Sequence, residues 1–409
     1  MRLRKLMAMT VAGAMMMANI CPVMADTIPS GTESQSVPQS PVEEAVIVEY
    51  MKMARGTKVP NATFTYDISP YSDSSNPDSG ANMPQAFTTS ISTSDMKHPE
   101  SLKTNNNLVG TKTVAEIFKD KEFDHAAEYV YKVTQKNSGL TEDKDPDTKE
   151  SMQYDRSSYL LHLYVANTES GGLEIKNVTV SDGKDKRDPS AAPTDDKEAA
   201  NSGFTFVNSY TKMIHKAVIA PENPDDPSTG TYGALGVTEN VSGDYGDKTK
   251  EFSYTLTLTA PDNYISSDSV NAIIYSMNED GTVNKEEQSV SYNTPFEFNL
   301  KDNERIGFAE LPSGTAYSIT HGGARNYTPS YKIGEEIKQG TLATDLALEN
   351  RVLSDTNNGE NVDVTDTFNA ASIAPTGIVM EEFPYILLLV LAGGATAAFV
   401  VREKDERDI

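Results

Sequence analysis

The sequence predicts an all-β protein: two tandem Ig-like β-sandwich domains, residues 42–219 and 234–372, with an N-terminal signal peptide and a C-terminal transmembrane helix. Three observations predict it. Short runs alternate apolar and polar residues with period 2, the signature of half-buried strands. Turn signals rich in Gly, Asn and Asp separate those runs. Helical patterns are scarce; the best is Thr113 to Phe118, about one turn.

Residues 1–25 read as a secretory signal peptide. Arg2, Arg4 and Lys5 precede an apolar run, and Val23-Met24-Ala25 supplies a small-residue cleavage site. The only cysteine, Cys21, lies inside it, after Ile20 rather than the small residue a lipobox needs. The mature chain therefore has no disulfide, no thiol chemistry and no cysteine metal site. Residues 26–41, rich in Ser, Pro and Thr, have little to bury and form a disordered spacer.

In the first module, Tyr129, Tyr131 and Val133 share one face of a strand, and Phe204, Phe206 and Tyr210 share one face of another. Asn137-Ser138-Gly139, Glu169 to Gly172 and Asp182-Gly183 mark turns between strands. A Pro/Asp/Gly-rich joint, 220–233, follows. In the second module Phe252, Tyr254, Leu256 and Leu258 alternate along a strand, and Asp280-Gly281 marks a turn. Near the C-terminus, Phe383 to Val401 is uncharged and mostly apolar. At about 1.5 Å per residue a helix of that length crosses a hydrocarbon core of about 30 Å. Residues 402–409 form a cytoplasmic tail of mixed charge.

The net charge is −25. The signal peptide's +3 and the net −3 of the residues after Thr376 cancel, so the ectodomain keeps it all. A surface this acidic argues against nucleic acid and anionic lipid as partners. Five histidines, at 98, 125, 162, 215 and 321, show no metal-ligand spacing, and no P-loop or nucleophile elbow occurs. The acidic run at 182–196 lacks the alternation of a calcium loop. No metal, cofactor or enzymatic activity is expected.

Ile373-Ala374-Pro375-Thr376-Gly377, the apolar span and the charged tail together resemble a Gram-positive cell-wall sorting signal. The resemblance implies that a sortase cysteine attacks the Thr376 carbonyl, releases Gly377 with the tail, and passes the acyl group to an amine. The alternative is an ordinary single-pass anchor that is never cleaved. The segments 48–66, 127–134 and 204–210 resemble the N-terminal domain of streptococcal-type backbone pilins, the pilin isopeptide-linkage family. Segments 237–258, 311–320 and 365–377 resemble its C-terminal domain. The implied partners are sortase, other pilin subunits, peptidoglycan, and the membrane before processing. The implied place is the cell wall or a pilus on the cell surface. A monomeric wall-anchored adhesin is the alternative.

In that family each domain is clamped by an amide bond between a lysine on its first strand and an asparagine on its last, assisted by a glutamate. Here the lysine positions fall on Glu49 and Glu239, and the glutamate positions on Gln135 and His321. The asparagine positions fall on Asn208 and Asn369. A glutamate carries no amine nucleophile, so these amides are not expected. Parity places Glu49, Gln135 and Asn208 together inside module one as a hydrogen-bonded polar cluster, with Glu49 protonated or turned to solvent. A strand slip recruiting Lys52 is the rival. Asn369 fits only with a bulge, because Phe368 takes the apolar parity. A shaft subunit also needs a lysine to accept its neighbour's acyl group; Lys197 is the first choice and Lys184 or Lys186 the second.

Overall fold

The computed structural model describes residues 40–72, 83–99, 105–141, 148–190, 204–216, 218, 232–264, 267–277, 282–357 and 359–370. The signal peptide, the sorting pentapeptide, the apolar span at 383–401 and Lys197 lie outside them. Among the described residues no helix is long and apolar enough to cross a membrane.

The chain is all-β. Module one runs β1 (Val46–Met53), β2 (Asn61–Pro70), β3 (Phe87–Ser92), β4 (Leu108–Thr113), α1 (Val114–Phe118), β5 (Glu128–Gln135), β6 (Leu140–Thr141), β7 (Thr148–Gln153), β8 (Ser158–Asn167), β9 (Leu173–Ser181), β10 (Lys186–Arg187) and β11 (Thr205–His215). Module two runs β12 (Leu235–Ser242), β13 (Phe252–Thr259), β14 (Ser269–Met277), β15 (Val283–Ser291), β16 (Phe296–Leu300), β17 (Arg305–Phe308), β18 (Glu310–Pro312), β19 (Ala316–His321), β20 (Tyr327–Ile333), β21 (Glu336–Gln339), β22 (Leu346–Val352) and β23 (Glu360–Phe368).

Each module is a sandwich of two sheets. In module one, β4, β1 and β11 with β7 face the sheet β10-β9-β8-β5-β2-β3, and their inner faces share one core that includes Phe64, Tyr131, Leu161 and Phe206. In module two, β15-β14-β17-β12-β23-β20-β21 faces β16-β13-β19-β22 around Phe252, Leu256, Phe308 and Val364. The sandwich is what alternation demands: each strand has one apolar face to bury, and a second sheet buries it. The α-helix among the described residues starts at a local signal. Thr113 caps it, its hydroxyl accepting from the Glu116 amide while the Glu116 carboxylate accepts from the Thr113 amide.

Both modules pair their first and last strands in parallel, β1 with β11 and β12 with β23. That arrangement sets the candidate sites, because side chains from the two ends of each module then lie on adjacent strands.

The modules also meet through paired strands. Strand β18 of module two pairs with β11 of module one at Met213↔Pro312 and His215↔Glu310. It takes the edge of β11 beyond the end of β1, with β7 on the opposite edge. Ile214, at the end of β11, is buried in the core of module two. Gly314 sits at φ +89° against Ala54, where an added Cβ would come within 2.3 Å of the alanine Cβ.

Candidate functional site

The cross-link positions of module one converge. Glu49 sits on β1, with Met51 two residues on and directly opposite Asn208 of the parallel strand β11. Gln135 ends β5, opposite Tyr66 of β2. Glu49 is fully buried. Its Oε2 accepts from the Tyr66 hydroxyl at 2.6 Å and from Gln135 Nε2 at 3.0 Å. Its Oε1 accepts from Asn208 Nδ2. The asparagine is itself fixed, since its Oδ1 accepts from the Asp155 amide at 2.7 Å. There is no strand slip: Lys52 lies opposite Ser209 and points away from the Glu49 face.

Burial drives the Glu49 carboxyl up to about 8, against the hydrogen bonds from Tyr66, Asn208 and Gln135, which pull it down. At neutral pH it is a neutral acid. A neutral acid must also donate, and Gln135 Oε1 is buried without a partner among the described residues. A half-turn of the Gln135 amide brings that oxygen to Glu49, where it accepts the carboxylic proton; such amide orientations are interchangeable in shape.

Module two repeats the plan with different chemistry. Glu239 is on β12, Tyr254 on β13 and His321 on β19, with Tyr254 opposite His321 as Tyr66 is opposite Gln135. The fourth position is a correction to the sequence reading. Asp366, not Asn369, stands opposite Val241, two residues beyond Glu239, as Asn208 stands opposite Met51. Asp366 is fully buried. Asn369 lies past the end of β23 and is half-buried, its amide donating to the Asn326 carbonyl at 2.7 Å. The reason is parity: Val362, Val364 and Asp366 alternate inward, and no bulge shifts the frame.

In this second cluster the Tyr254 hydroxyl donates to Glu239 Oε2. His321 Nε2 lies 2.7 Å from Asp366 Oδ2, close but without hydrogen-bond alignment. Burial first, and the neighbouring Asp366 charge second, hold the Glu239 carboxyl well above its usual range. Glu239, His321 and Asp366 bring donor atoms within 4.8 Å of one another and are, among the described residues, the set that could hold a metal ion.

Neither cluster contains an amine, so neither can form an amide bond. What the first can do is satisfy buried polar atoms across the first, middle and last strands of its module; in the second, Glu239 Oε1, both His321 ring nitrogens and both Asp366 carboxylate oxygens lack an aligned hydrogen bond among the described residues. Sequence reasoning missed Tyr66, Tyr254 and Asp366. The alternation of Ala62, Phe64, Tyr66 and Ile68 pointed Tyr66 inward, and the parity of Val362 and Val364 pointed to Asp366. It also treated the histidines as isolated, whereas the fold brings His321 to two carboxylates. Lys184 and Lys186 are exposed on the β9–β10 hairpin. There Asp182 accepts from the Lys184 and Asp185 amides and from Arg187, and these bonds hold its carboxyl below its usual range.

Residues 48–211 match the family of Spy0128-like isopeptide containing domains, and residues 233–357 match a domain of unknown function, DUF7601. A pilin of Streptococcus pyogenes serotype M1 is 26% identical over 345 residues, covering 84% of this chain and 86% of that protein. The crystal structure of the major pilin from Streptococcus pyogenes is 19% identical and covers 82% of this chain and 99% of its own, with a TM-score of 0.31. The major pilin T3.2 from Streptococcus pyogenes serotype GAS13637 is 20% identical, covers 81% of this chain and 100% of its own, and has a TM-score of 0.29.

Proposed function

We propose that this chain, whose first module is of the Spy0128-like isopeptide domain family, is a structural subunit of a pilus shaft, joined to its neighbours or to peptidoglycan by sortase at Thr376. One observation carries the reading: the similarity to pilin runs through both modules, 84% of the chain, rather than through one exchangeable domain. The sorting-signal pattern at 373–409 supports sortase processing and residence on the cell surface. The role is mechanical, and the chain is a sortase substrate rather than an enzyme. Parallel pairing of first and last strands supports it further, because tension on such a pair loads its ladder of hydrogen bonds in shear, all at once, rather than one by one.

The test is a denaturing gel of cell-wall extracts probed for this chain. A ladder of high-mass species that collapses in Thr376→Ala cells is the expected result. A single discrete wall-bound band refutes polymerisation and favours a lone anchored adhesin. Retention of the whole chain in the membrane fraction refutes sortase processing altogether. Within a ladder, Lys197→Arg identifies or dismisses the first-choice acceptor lysine.

A further inference from the structure

A third buried cluster lies outside both tetrads, at the seam between the modules. Even-numbered residues of β11 face inward: Phe206, Asn208 and Tyr210 toward the core of module one, Ile214 toward that of module two. Lys212 falls between them, on the same face, and its side chain is 5% exposed. Its Nζ is 3.1 Å from Asp355 Oδ2, on the 3-10 turn that follows β22 in module two, and that carboxylate is 1% exposed. A second carboxylate, Glu150 of β7, is 5% exposed and lies 3.8 Å from the same Nζ.

The details favour chemistry over a simple ion pair. Asp355 Oδ2 has no aligned hydrogen bond among the described residues, although the amine is in contact. Asp355 Oδ1 is held from both modules: it accepts from the Lys58 amide at 2.9 Å and from the Ser313 hydroxyl at 3.4 Å. Glu150 is oriented by the Tyr210 hydroxyl, and the backbone register sets it directly opposite Lys212. The group therefore contains an amine, an acyl carbon whose one oxygen is already polarised, and a second acid. With a C–O bond of about 1.23 Å, the Asp355 carboxyl carbon is within roughly 4.3 Å of Nζ, and a small side-chain rotation brings it to attack distance.

We propose that Lys212 and Asp355 are joined by an amide bond that welds the two modules together. In a setting that solvates ions poorly, an ammonium and a carboxylate exchange a proton to give amine and acid. The neutral Nζ attacks Asp355 Cγ. Negative charge develops on Oδ1, where the Lys58 amide and the Ser313 hydroxyl already donate. Glu150 takes a proton from the nitrogen and delivers one to Oδ2. The Cγ–Oδ2 bond breaks and one water leaves; the Nζ–Cγ bond remains. No oxidant or further reactant is needed. The product removes an ammonium and a carboxylate from a buried seam, and Glu150, having taken one proton and given one up, ends as it began. The same bond crosses the boundary that a pull along the chain would open.

The test is the intact mass of the secreted two-module ectodomain, with sequencing of its proteolytic peptides. The expected mass is lower by one water, and one branched peptide carries Lys212 joined to Asp355. Lys212→Arg, which keeps the charge, restores the full mass in a chain that elutes as a folded monomer. Glu150→Gln leaves both reactants in place and lowers the cross-linked fraction at least tenfold. An unshifted mass with linear Lys212 and Asp355 peptides, in the folded wild-type protein, overturns the proposal and leaves a buried ion pair. Loss of one ammonia, or a branch at any other pair, overturns it too.

Discussion

Glu49→Gln is the sharpest probe of the module-one cluster. An unfolded glutamate titrates near 4.5, and the buried Glu49 near 8. Below the lower value both states are protonated. Between 4.5 and 8 the folded state holds a proton that the unfolded state has lost, so rising pH favours unfolding. Above the upper value the dependence stops. At ~1.4 kcal/mol per pH unit, the carboxyl removes roughly 3 kcal/mol of native stability by pH 7 and roughly 5 kcal/mol by pH 8.5, relative to pH 4. Glutamine fills the same space, keeps an acceptor for the Tyr66 hydroxyl, and does not titrate. Thermal unfolding of the ectodomain followed from pH 4.5 to 8.5 tests this. Glu49→Gln is expected to be level with or slightly below wild type at the acid end. It should pull ahead steadily as pH rises, by 10 °C or so in the transition of module one, at ~2–4 °C per kcal/mol. If variant and wild type keep a constant separation across the range, Glu49 is not the neutral buried acid described above.

Tyr66→Phe removes a donor that favours the charged form of Glu49, so it should cost about 1–2 kcal/mol and move the pH midpoint of that transition upward, measured in the same titration. Glu239→Gln should flatten the pH dependence of the module-two transition with the same sign, because burial and Asp366 both raise that carboxyl. Gly314→Ala meets both a φ of +89° and the Ala54 Cβ; it should lower the stability of the two-module chain by a few kcal/mol, and an unchanged melting curve would show that the seam yields easily. Peptide mapping should recover the β1 and β11 segments that carry Glu49 and Asn208 unlinked, since Glu49 supplies no amine.

The missing lysines also change what the isopeptide family match means for this chain. The match covers residues 48–211, and within that range the positions where the resemblance implies a lysine, an acid and an asparagine hold Glu49, Gln135 and Asn208, which meet in one buried cluster. Where the family arrangement implies a covalent clamp within a module, a shared network stands here: a neutral carboxyl held by Tyr66, Gln135 and Asn208. Such a network contributes only while every member is satisfied, which makes module one sensitive to pH in a way an amide would not be.

Much of this was legible in the chain alone. Period-2 alternation placed Tyr129, Tyr131 and Val133 on one buried face, and Phe204, Phe206 and Tyr210 on another, because a half-buried strand has no other way to sort its side chains. The same parity brought Glu49, Gln135 and Asn208 to one interior. What alternation does not carry is which strands lie side by side and in what register. Asn369 was read as the fourth member of module two, yet the parallel register of β12 on β23 puts Asp366 there. His321 looked solitary because its partners are 82 and 45 residues away along the chain, distances that only strand pairing closes. The seam is the clearest case. Lys212 reads as an ordinary charged residue until β18 docks beside β11 and a turn of the second module sets Asp355 against its amine. Local sequence fixes which way a side chain points; only the assembled sheets decide what it meets there, since that neighbour comes from a distant part of the chain.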